Sequence, residues 1–521
     1  MKLAVLLLFI FGLTGGVKED KTFWRNIAQK ELEDAKSYTW NHNRAHNVIL
    51  FIGDGMSPDT ITASRIYRAG EESYLAWEKF PHIGLLKTYN TDKQAPDSAS
   101  TATALFSGVK TNYNVHGVDA NVKINDCEAS YNADHRLDSI IDWAQAADKS
   151  TGFVTTTRVT HATPAPLYAH GANRKWECET PKGSICKDIA RQLVENEPGK
   201  NIKVIMGGGR QMLQTRFNVT NIDPLDIWAG QRKDGRDLID YWIQDKKNRS
   251  LSYNVVQNNE QLASVDLINT DYLLGIFANG HIPMDYMRDK SGKGQPSLEE
   301  MTVTALKILQ KSSNGYLLVV EGGLIDFAHH RGHAAQALLE TVRLSDAVNA
   351  TLRMVNPENT LVIVTSDHTH SLAFNGNSKR GNSVLGIAEY SKIDGIPYTT
   401  LSYSTGGPNN NAYTIVKNDK NESFAQRLNF EKLQSNTEDF TYSQQAAIIT
   451  DEAHHGGGDV AVYARGPYAH LFHTTHEQNF VAYVIAYAAR IGPYANHSST
   501  SQWNFIWLGS LLSLIRTFYA Y

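Results

Sequence analysis

Five consecutive apolar residues, Val48-Ile49-Leu50-Phe51-Ile52, run directly into Gly53-Asp54-Gly55-Met56. An unbroken run of β-branched and aromatic residues suits a strand buried on both faces, the environment of a parallel sheet covered by helices. Gly-Asp-Gly then ends the strand and leaves a carboxylate on a tight turn. Ligands of open α/β sheets bind at the carboxyl ends of strands, so Asp54 is a candidate metal ligand. The plainer alternative is a turn aspartate that caps the next helix, which opens at Ser57-Pro58-Asp59 and extends to Tyr67.

The same pattern recurs along the chain. Gly152 to Thr157 reads as a second buried strand; His161 and Thr163 lie just past its end, in Arg158-Val159-Thr160-His161-Ala162-Thr163-Pro164. Tyr316 to Val320 is a third, ending in Glu321-Gly322-Gly323, and Leu361 to Thr365 a fourth, ending in Ser366-Asp367-His368-Thr369-His370. Lys203 to Met206 repeats the strand-then-glycine arrangement, and Val460 to Tyr463 follows His454-His455-Gly456-Gly457-Gly458-Asp459. Apolar spacing predicts helices over Phe23 to Lys36, Ser139 to Ala147, Ala334 to Leu352 and Asn479 to Arg490. Strands alternating with helices predict an α/β fold, a three-layer sandwich with a large, mostly parallel central sheet flanked by helices. Residues 375–450, polar and with little helical period, read as an inserted surface subdomain.

Three further stretches carry chemistry. Small residues after Pro96-Asp97 let the helix that begins near Ser98 approach a ligand closely, with its first-turn amides aimed at an anion; the bland alternative is a serine-rich cap. Asp326 and His330 fall four apart on a helix, on one face, where they can share a Zn²⁺ at about 2.0–2.2 Å. Arg174, in the loop Asn173-Arg174-Lys175-Trp176, offers a guanidinium that can hold phosphate oxygens in a bidentate manner. A parallel sheet brings the strand ends to one edge, so these groups converge with Asp54, Thr163, Glu321, Asp367 and His368. That convergence overrides the bland reading of each residue alone. Nitrogen-rich ligands such as His330, His368 and His455 prefer Zn²⁺, and the oxygen set Asp54, Thr163 and Glu321 prefers Mg²⁺. Two zinc ions about 4 Å apart can clamp the attacking and leaving oxygens of a phosphoryl transfer to Ser98.

The balance of 50 basic against 54 acidic residues, a net charge of −4, leaves no basic stripe and sets a nucleic-acid partner aside. Residues 1–16 read as a secretory signal peptide, with Lys2 ahead of a short apolar core. At the other end, 496–521 read as a glycosyl-phosphatidylinositol (GPI) anchor signal, or alternatively as an amphipathic helix that is retained. Export makes the Asn-X-Ser/Thr sequons at Asn218, Asn248, Asn349, Asn421 and Asn496 available for glycosylation. It also allows one disulfide among Cys127, Cys178 and Cys186.

Taken in order, Val-Ile-Leu-Phe-Ile-Gly-Asp-Gly-Met, Pro-Asp-Ser-Ala, Thr-Arg-Val-Thr-His-Ala-Thr-Pro, Val-Glu-Gly-Gly-Leu-Ile-Asp and Thr-Ser-Asp-His-Thr-His resemble the alkaline phosphatases. The likeness is to the animal membrane-anchored type and covers roughly residues 20–490. It implies a phosphate-monoester hydrolase with an alkaline optimum, in which Ser98 is the nucleophile that becomes phosphoserine and Arg174 grips the phosphate. It implies two zinc ions, one held by Asp326, His330 and His455, the other by Asp54, Asp367 and His368. A magnesium ion would be held by Asp54, Thr163 and Glu321, with His161 nearby. His455 rather than His454 is aligned by the run His-x-Gly-x-Asp before Val460. The resemblance further implies a Cys127–Cys186 disulfide with Cys178 free, a crown subdomain at 375–450, and a homodimer embraced by the arm at 17–45. The catalytic domain would comprise 46–374 and 451–495, and the chain would sit GPI-anchored on the outer face of the cell membrane. Phe277-Ala278 stands where vertebrate members carry a Phe-Glu pair at an added calcium site. Two other readings are a sulfatase or phosphodiesterase on the same scaffold, and a catalytically silent cell-surface binding protein. The first fits Ser98 and Arg174 less well, because that pair suits a monoester dianion, and the second is disfavoured because every catalytic position is occupied.

Overall fold

The computed structural model describes residues 19–215, 231–409, 412–432 and 436–495. The signal peptide, the anchor signal and the sequons at Asn218 and Asn496 lie outside the described residues. Two compact units divide the chain, Met1–Trp40 and Asn41–Tyr521. The described part of the first is the helix Lys21–Lys36, capped by the Asp20 carboxylate and exposing Trp24 and Leu32.

The second unit is built on a ten-stranded sheet. In chain order its strands are β1 (Asn47–Gly53), β2 (His82–Lys87), β3 (Ser150–Arg158), β4 (Val204–Gly208), β5 (Tyr253–Val256), β6 (Tyr272–Ile276), β7 (Tyr316–Gly322), β8 (Thr360–Ser366), β9 (Val460–Arg465) and β10 (Thr474–Glu477). Their order across the sheet is β10-β2-β9-β8-β1-β7-β3-β4-β6-β5. Every pairing is parallel except those of β9, which lies antiparallel to both β8 and β2.

Side-chain alternation along β1 shows why the run at Val48 had to be apolar throughout. Val48, Leu50 and Ile52 enter one core, together with Leu105 and Phe106 of the helix Ser98–Ser107 and with the helix Phe480–Ala489. Ile49 and Phe51 enter the other, against Ile61, Leu306 and Leu344 from the helices Pro58–Ala69, Leu298–Leu309 and Ala334–Leu352. A polar residue at any of these positions would be buried without a partner. The three-layer α/β sandwich expected from the sequence is therefore the fold.

Register then sets the site. Ile52 lies opposite Glu321 of β7 and Thr365 of β8, and Thr155 of β3 lies opposite Glu321. The carboxyl ends of β8, β1, β7 and β3 thus stand level, side by side. Between 375 and 450 the described residues form short strands, among them Leu401–Gly406 and Ala446–Ile449, and no helix. Leu401, Tyr403 and Ala446 pack on Ala334, Ala335 and Leu338 in a third core. A Cys127–Cys186 disulfide packs on the small core of Val115, Val118 and Trp176, and Cys178 is free and buried.

Candidate active site

Asp54 directly follows β1, and its neighbour Gly55 explains the Gly-Asp-Gly signature. Gly55 has φ +67°, and a Cβ there would lie 2.8 Å from His370 Cδ2 and 3.1 Å from Asp326 Oδ1. A side chain would hold the second cluster of ligands away from Asp54. Asp367 and His368, just past the end of β8, turn to the same place: the amides of Gly55 and His368 donate to Asp367 Oδ1 at 3.0 and 2.8 Å. Asp54, Asp367 and His368, all buried, bring one ligand atom each within 4.8 Å of one another. Ser98 Oγ lies 3.2 Å from His368 Nε2, so the hydroxyl adjoins this group.

Asp97, not Ser98, caps the helix Ser98–Ser107, accepting from the Ala99 amide at 3.1 Å. Ser98 is thus released from the capping role that the bland reading gave it. Asp97 Oδ2 also accepts from Arg174 Nη1 at 3.2 Å, and Arg174 Nη2 lies 3.3 Å from His161 Nε2. Helix start and guanidinium are therefore tied by one carboxylate.

A second group gathers Asp326, His330, His370 and His455. His330 lies on the helix Leu324–His330, its Nε2 3.2 Å from Asp326 Oδ2, while His370 Nε2 is 2.8 Å and His455 Nε2 3.3 Å from Asp326 Oδ1. His330 Nδ1 and His455 Nδ1 donate to the carbonyls of Ala453 and Pro96 at 2.8 and 2.7 Å. That tautomer turns both Nε2 lone pairs inward, 3.1 Å apart, as metal-ligating histidines are held. His370 was given no role from sequence; a two-residue antiparallel pairing of Thr369–His370 with His455–Gly456 brings it in. His454 is half exposed and pairs with Asp451, and His329 turns away to Tyr403 and Thr60.

The third group is Asp54, His161 and Glu321. Thr163 Oγ1 donates to Asp54 Oδ2 at 3.4 Å, and Thr155 Oγ1 to Glu321 Oε2 at 2.5 Å. His161, expected only nearby, is within ligand reach. The eight metal-ligand candidates read from sequence thus fall into three adjoining groups around Ser98, and Asp54 belongs to two of them.

The electrostatics call for cations. Burial, reinforced by Asp367, Asp326 and Glu321, pushes the Asp54 carboxyl well above its usual range. Burial also lifts Asp367 to about 6 and Glu321 to about 7. Asp326 departs the other way: burial works against its charge, but His330 and His455 outweigh it and hold the carboxyl well below normal. Asp54 Oδ1 and Glu321 Oε1 are buried and make no hydrogen bond. Adjacent buried carboxylates with unsatisfied oxygens are stabilised by divalent cations. The nitrogen-rich group around Asp326 fits zinc, and the oxygen-rich group around Glu321 fits a harder ion.

A sequence profile of the family described as "Alkaline phosphatase" matches residues 45–491. The tissue-nonspecific alkaline phosphatase isozyme of Gallus gallus is 42% identical over 499 residues, covering 93% of this chain and 92% of that protein. The alkaline phosphatase of Gadus morhua is 42% identical over 485 residues, 90% of this chain and 97% of that one. Alkaline phosphatase 4 of Drosophila melanogaster is 40% identical over 504 residues, covering 91% and 82%. Among solved structures, Thermus thermophilus alkaline phosphatase superposes with a TM-score of 0.60 at 23% identity, over 87% of this chain and 93% of that one. The enzyme from the Antarctic bacterium TAB5 gives 0.58 at 22% identity, over 87% and 99%. The two structures attest the fold.

Proposed function

Because the chain belongs to the alkaline phosphatase family and is a metal-dependent phosphate-monoester hydrolase, we propose that it works through a phosphoserine at Ser98 with two zinc ions and one magnesium. One zinc would be held by Asp326, His330 and His455, with His370 at the same carboxylate, and the other by Asp54, Asp367 and His368. Magnesium would be held by Asp54, Thr163 and Glu321, with His161 within reach. Bound there, the ions supply positive charge to the attacking and leaving oxygens of an in-line displacement.

The protein's own residues do the rest. Arg174 offers its guanidinium fork to the phosphate oxygens, held on one side by Asp97. Ser98 stands at the first turn of a buried helix whose amides face the incoming anion. Its oxygen attacks phosphorus and the alcohol departs. Water then attacks the phosphoserine, and inorganic phosphate leaves past Arg174. The ligand histidines must be neutral to hold cations, which moves activity to alkaline pH.

The observation that carries this reading is Ser98 Oγ beside His368, with ligand groups on either side and a guanidinium tethered to the same helix start. Release of nitrophenol from p-nitrophenyl phosphate at about pH 9, abolished by EDTA and by Ser98→Ala, is the expected result. Metal analysis should find two zinc and one magnesium per chain, and acid quenching should trap phosphate on Ser98. Turnover that survives Ser98→Ala would overturn the assignment.

The exposed Trp24 and Leu32 on the arm helix support a homodimer, with the arm at 17–45 reaching the partner and 375–450 forming a crown on the domain 46–374 and 451–495. Among the described residues no helix is long and apolar enough to cross a membrane. The anchor signal at 496–521 supports attachment by a GPI lipid to the outer face of the cell membrane. Release by a phosphatidylinositol-specific phospholipase tests that placement, and light scattering tests the dimer.

A further inference from the structure

A strap of chain, residues 111–117, joins the helix of Ser98 to the loop that carries Arg174. Asn112, 4% exposed, anchors one end: its NH₂ donates to the carbonyls of Ala120 and Val122, both at 2.8 Å, and its side-chain oxygen accepts from Thr91 Oγ1 at 2.7 Å. At the other end the Gly117 amide donates to Thr103 Oγ1, on the helix of Ser98, at 3.0 Å. His116 and Gly171 exchange backbone hydrogen bonds at 3.0 and 2.9 Å. A Cβ on Gly117 would lie 2.1 Å from the Ala169 carbonyl oxygen, so strap and loop are in direct backbone contact.

Asn114 stands between these anchors with φ +64°, in the left-handed region. Its amide donates to Asp97 Oδ1 at 2.9 Å, and its carbonyl accepts from the Arg174 amide at 2.9 Å. An extended residue turns both groups toward one neighbouring strand. Here they reach two elements, the start of the Ser98 helix and the arginine loop. Asp97 Oδ2 in turn accepts from Arg174 Nη1 at 3.2 Å, so three hydrogen bonds close a circuit through Asp97, Asn114 and Arg174. Asparagine is one of the few residues other than glycine that tolerate the left-handed region. A residue kept there marks a backbone over-determined by its surroundings, as happens around functional sites.

We propose that Asn114 is a positioning residue for phosphate, its left-handed backbone fixing the main chain of Arg174 relative to Ser98. This rests on the reading that Arg174 holds the phosphate oxygens. Asp97 alone holds only the end of the guanidinium; Asn114 sets where that side chain starts. The circuit therefore acts through the backbone conformation at 114 and not through the asparagine side chain.

The test measures the inhibition constant of inorganic phosphate, with the melting temperature, in the holoenzyme of wild type, Asn114→Gly, Asn114→Val, Asn114→Pro and Arg174→Ala. Glycine adopts the same φ freely, so Asn114→Gly should inhibit within about 2-fold of wild type. A left-handed backbone costs other residues a factor of roughly 5–30 in population, so Asn114→Val should raise the constant by about that factor. Asn114→Pro, with φ fixed at about −65° and no amide to donate, should raise it at least as much. A change confined to the melting temperature is what a merely structural role would give. Weaker inhibition in either the valine or the proline variant, with glycine unchanged, supports the circuit. Wild-type inhibition in both, or in the valine variant alone if the proline chain does not fold, would overturn it while Arg174→Ala remains impaired. Glycine losing as much as valine would also overturn it, by placing the effect in the side chain. Wild-type inhibition in Arg174→Ala would remove the phosphate grip itself, and the proposal with it.

Discussion

Replacing Asp97 by asparagine separates what orients Arg174 from what starts the helix of Ser98. The Asp97 carboxylate is 1% exposed and accepts from the Ala99 amide at 3.1 Å, Ser100 Oγ at 2.7 Å, the Asn114 amide at 2.9 Å and Arg174 Nη1 at 3.2 Å. Asparagine is as good a helix cap as aspartate, so the helix should form. What is lost is the charge and one acceptor, since the new NH₂ faces donors. A hydrogen bond to a charged group contributes about 1.5–3 kcal/mol. If Arg174 binds phosphate only as Asp97 holds it, inhibition by inorganic phosphate should weaken by roughly 10- to 150-fold. The assay is competitive inhibition by phosphate in wild type, Asp97→Asn, Arg174→Ala and the double variant. Asp97 acting through Arg174 predicts that the double variant loses no more than Arg174→Ala alone. Losses that add, or an unchanged inhibition constant in Asp97→Asn, would refute the tether.

Three further outcomes are expected. Glu340 accepts the Asp285 amide at 2.7 Å, and burial, partly opposed by that bond and by Arg343 and Arg288, pushes its carboxyl up to about 7. A folded value above the unfolded one contributes stability that is whole below about pH 4.5 and lost as pH rises through about 7, some 3 kcal/mol in all. Glu340→Gln should therefore flatten unfolding stability between about pH 5 and 8 and stabilise the protein at alkaline pH; an unaltered slope counts against this. Glu177 grips the buried Arg158 through two hydrogen bonds at 2.8 and 2.6 Å, anchoring the loop of Arg174 to β3. Glu177→Gln removes the charge from both bonds and should cost about 1.5–3 kcal/mol in thermal unfolding, whereas a variant as stable as wild type would show the charge of the pair to be dispensable. His455→Ala should cost bound metal and most activity, while His454→Ala should change stability by no more than about 0.5 kcal/mol and leave metal content alone; the reverse order would reassign the ligand.

What could be read from the sequence was whatever is written within a few residues. A buried strand and the turn that ends it are contiguous, so β1, β3, β7 and β8 and the acidic, histidine and hydroxyl groups at their ends are legible before any pairing is known. The register that levels those ends follows from parallel topology and needed only the α/β assignment. Strand β2 was missed because its pattern is inverted: Ile83 and Leu85 point outward, 51% and 41% exposed, while Gly84 packs inward. A Cβ at Gly84 would lie 2.0 Å from the Phe472 carbonyl oxygen, so hydrophobicity there gives way to close approach of backbones. His370 was left unassigned for a related reason. Its place beside Asp326 depends on a two-residue bridge to His455, and no local period marks so short a pairing. Asp97 shows the same limit from another side, since a Pro-Asp helix start announces a cap but not the distant arginine that the cap also holds. The contacts that escaped are those in which one residue serves two partners far apart in sequence. In this enzyme they lie around Ser98, because a serine, a guanidinium and three groups of metal-capable side chains can be held to one geometry only by residues shared between elements.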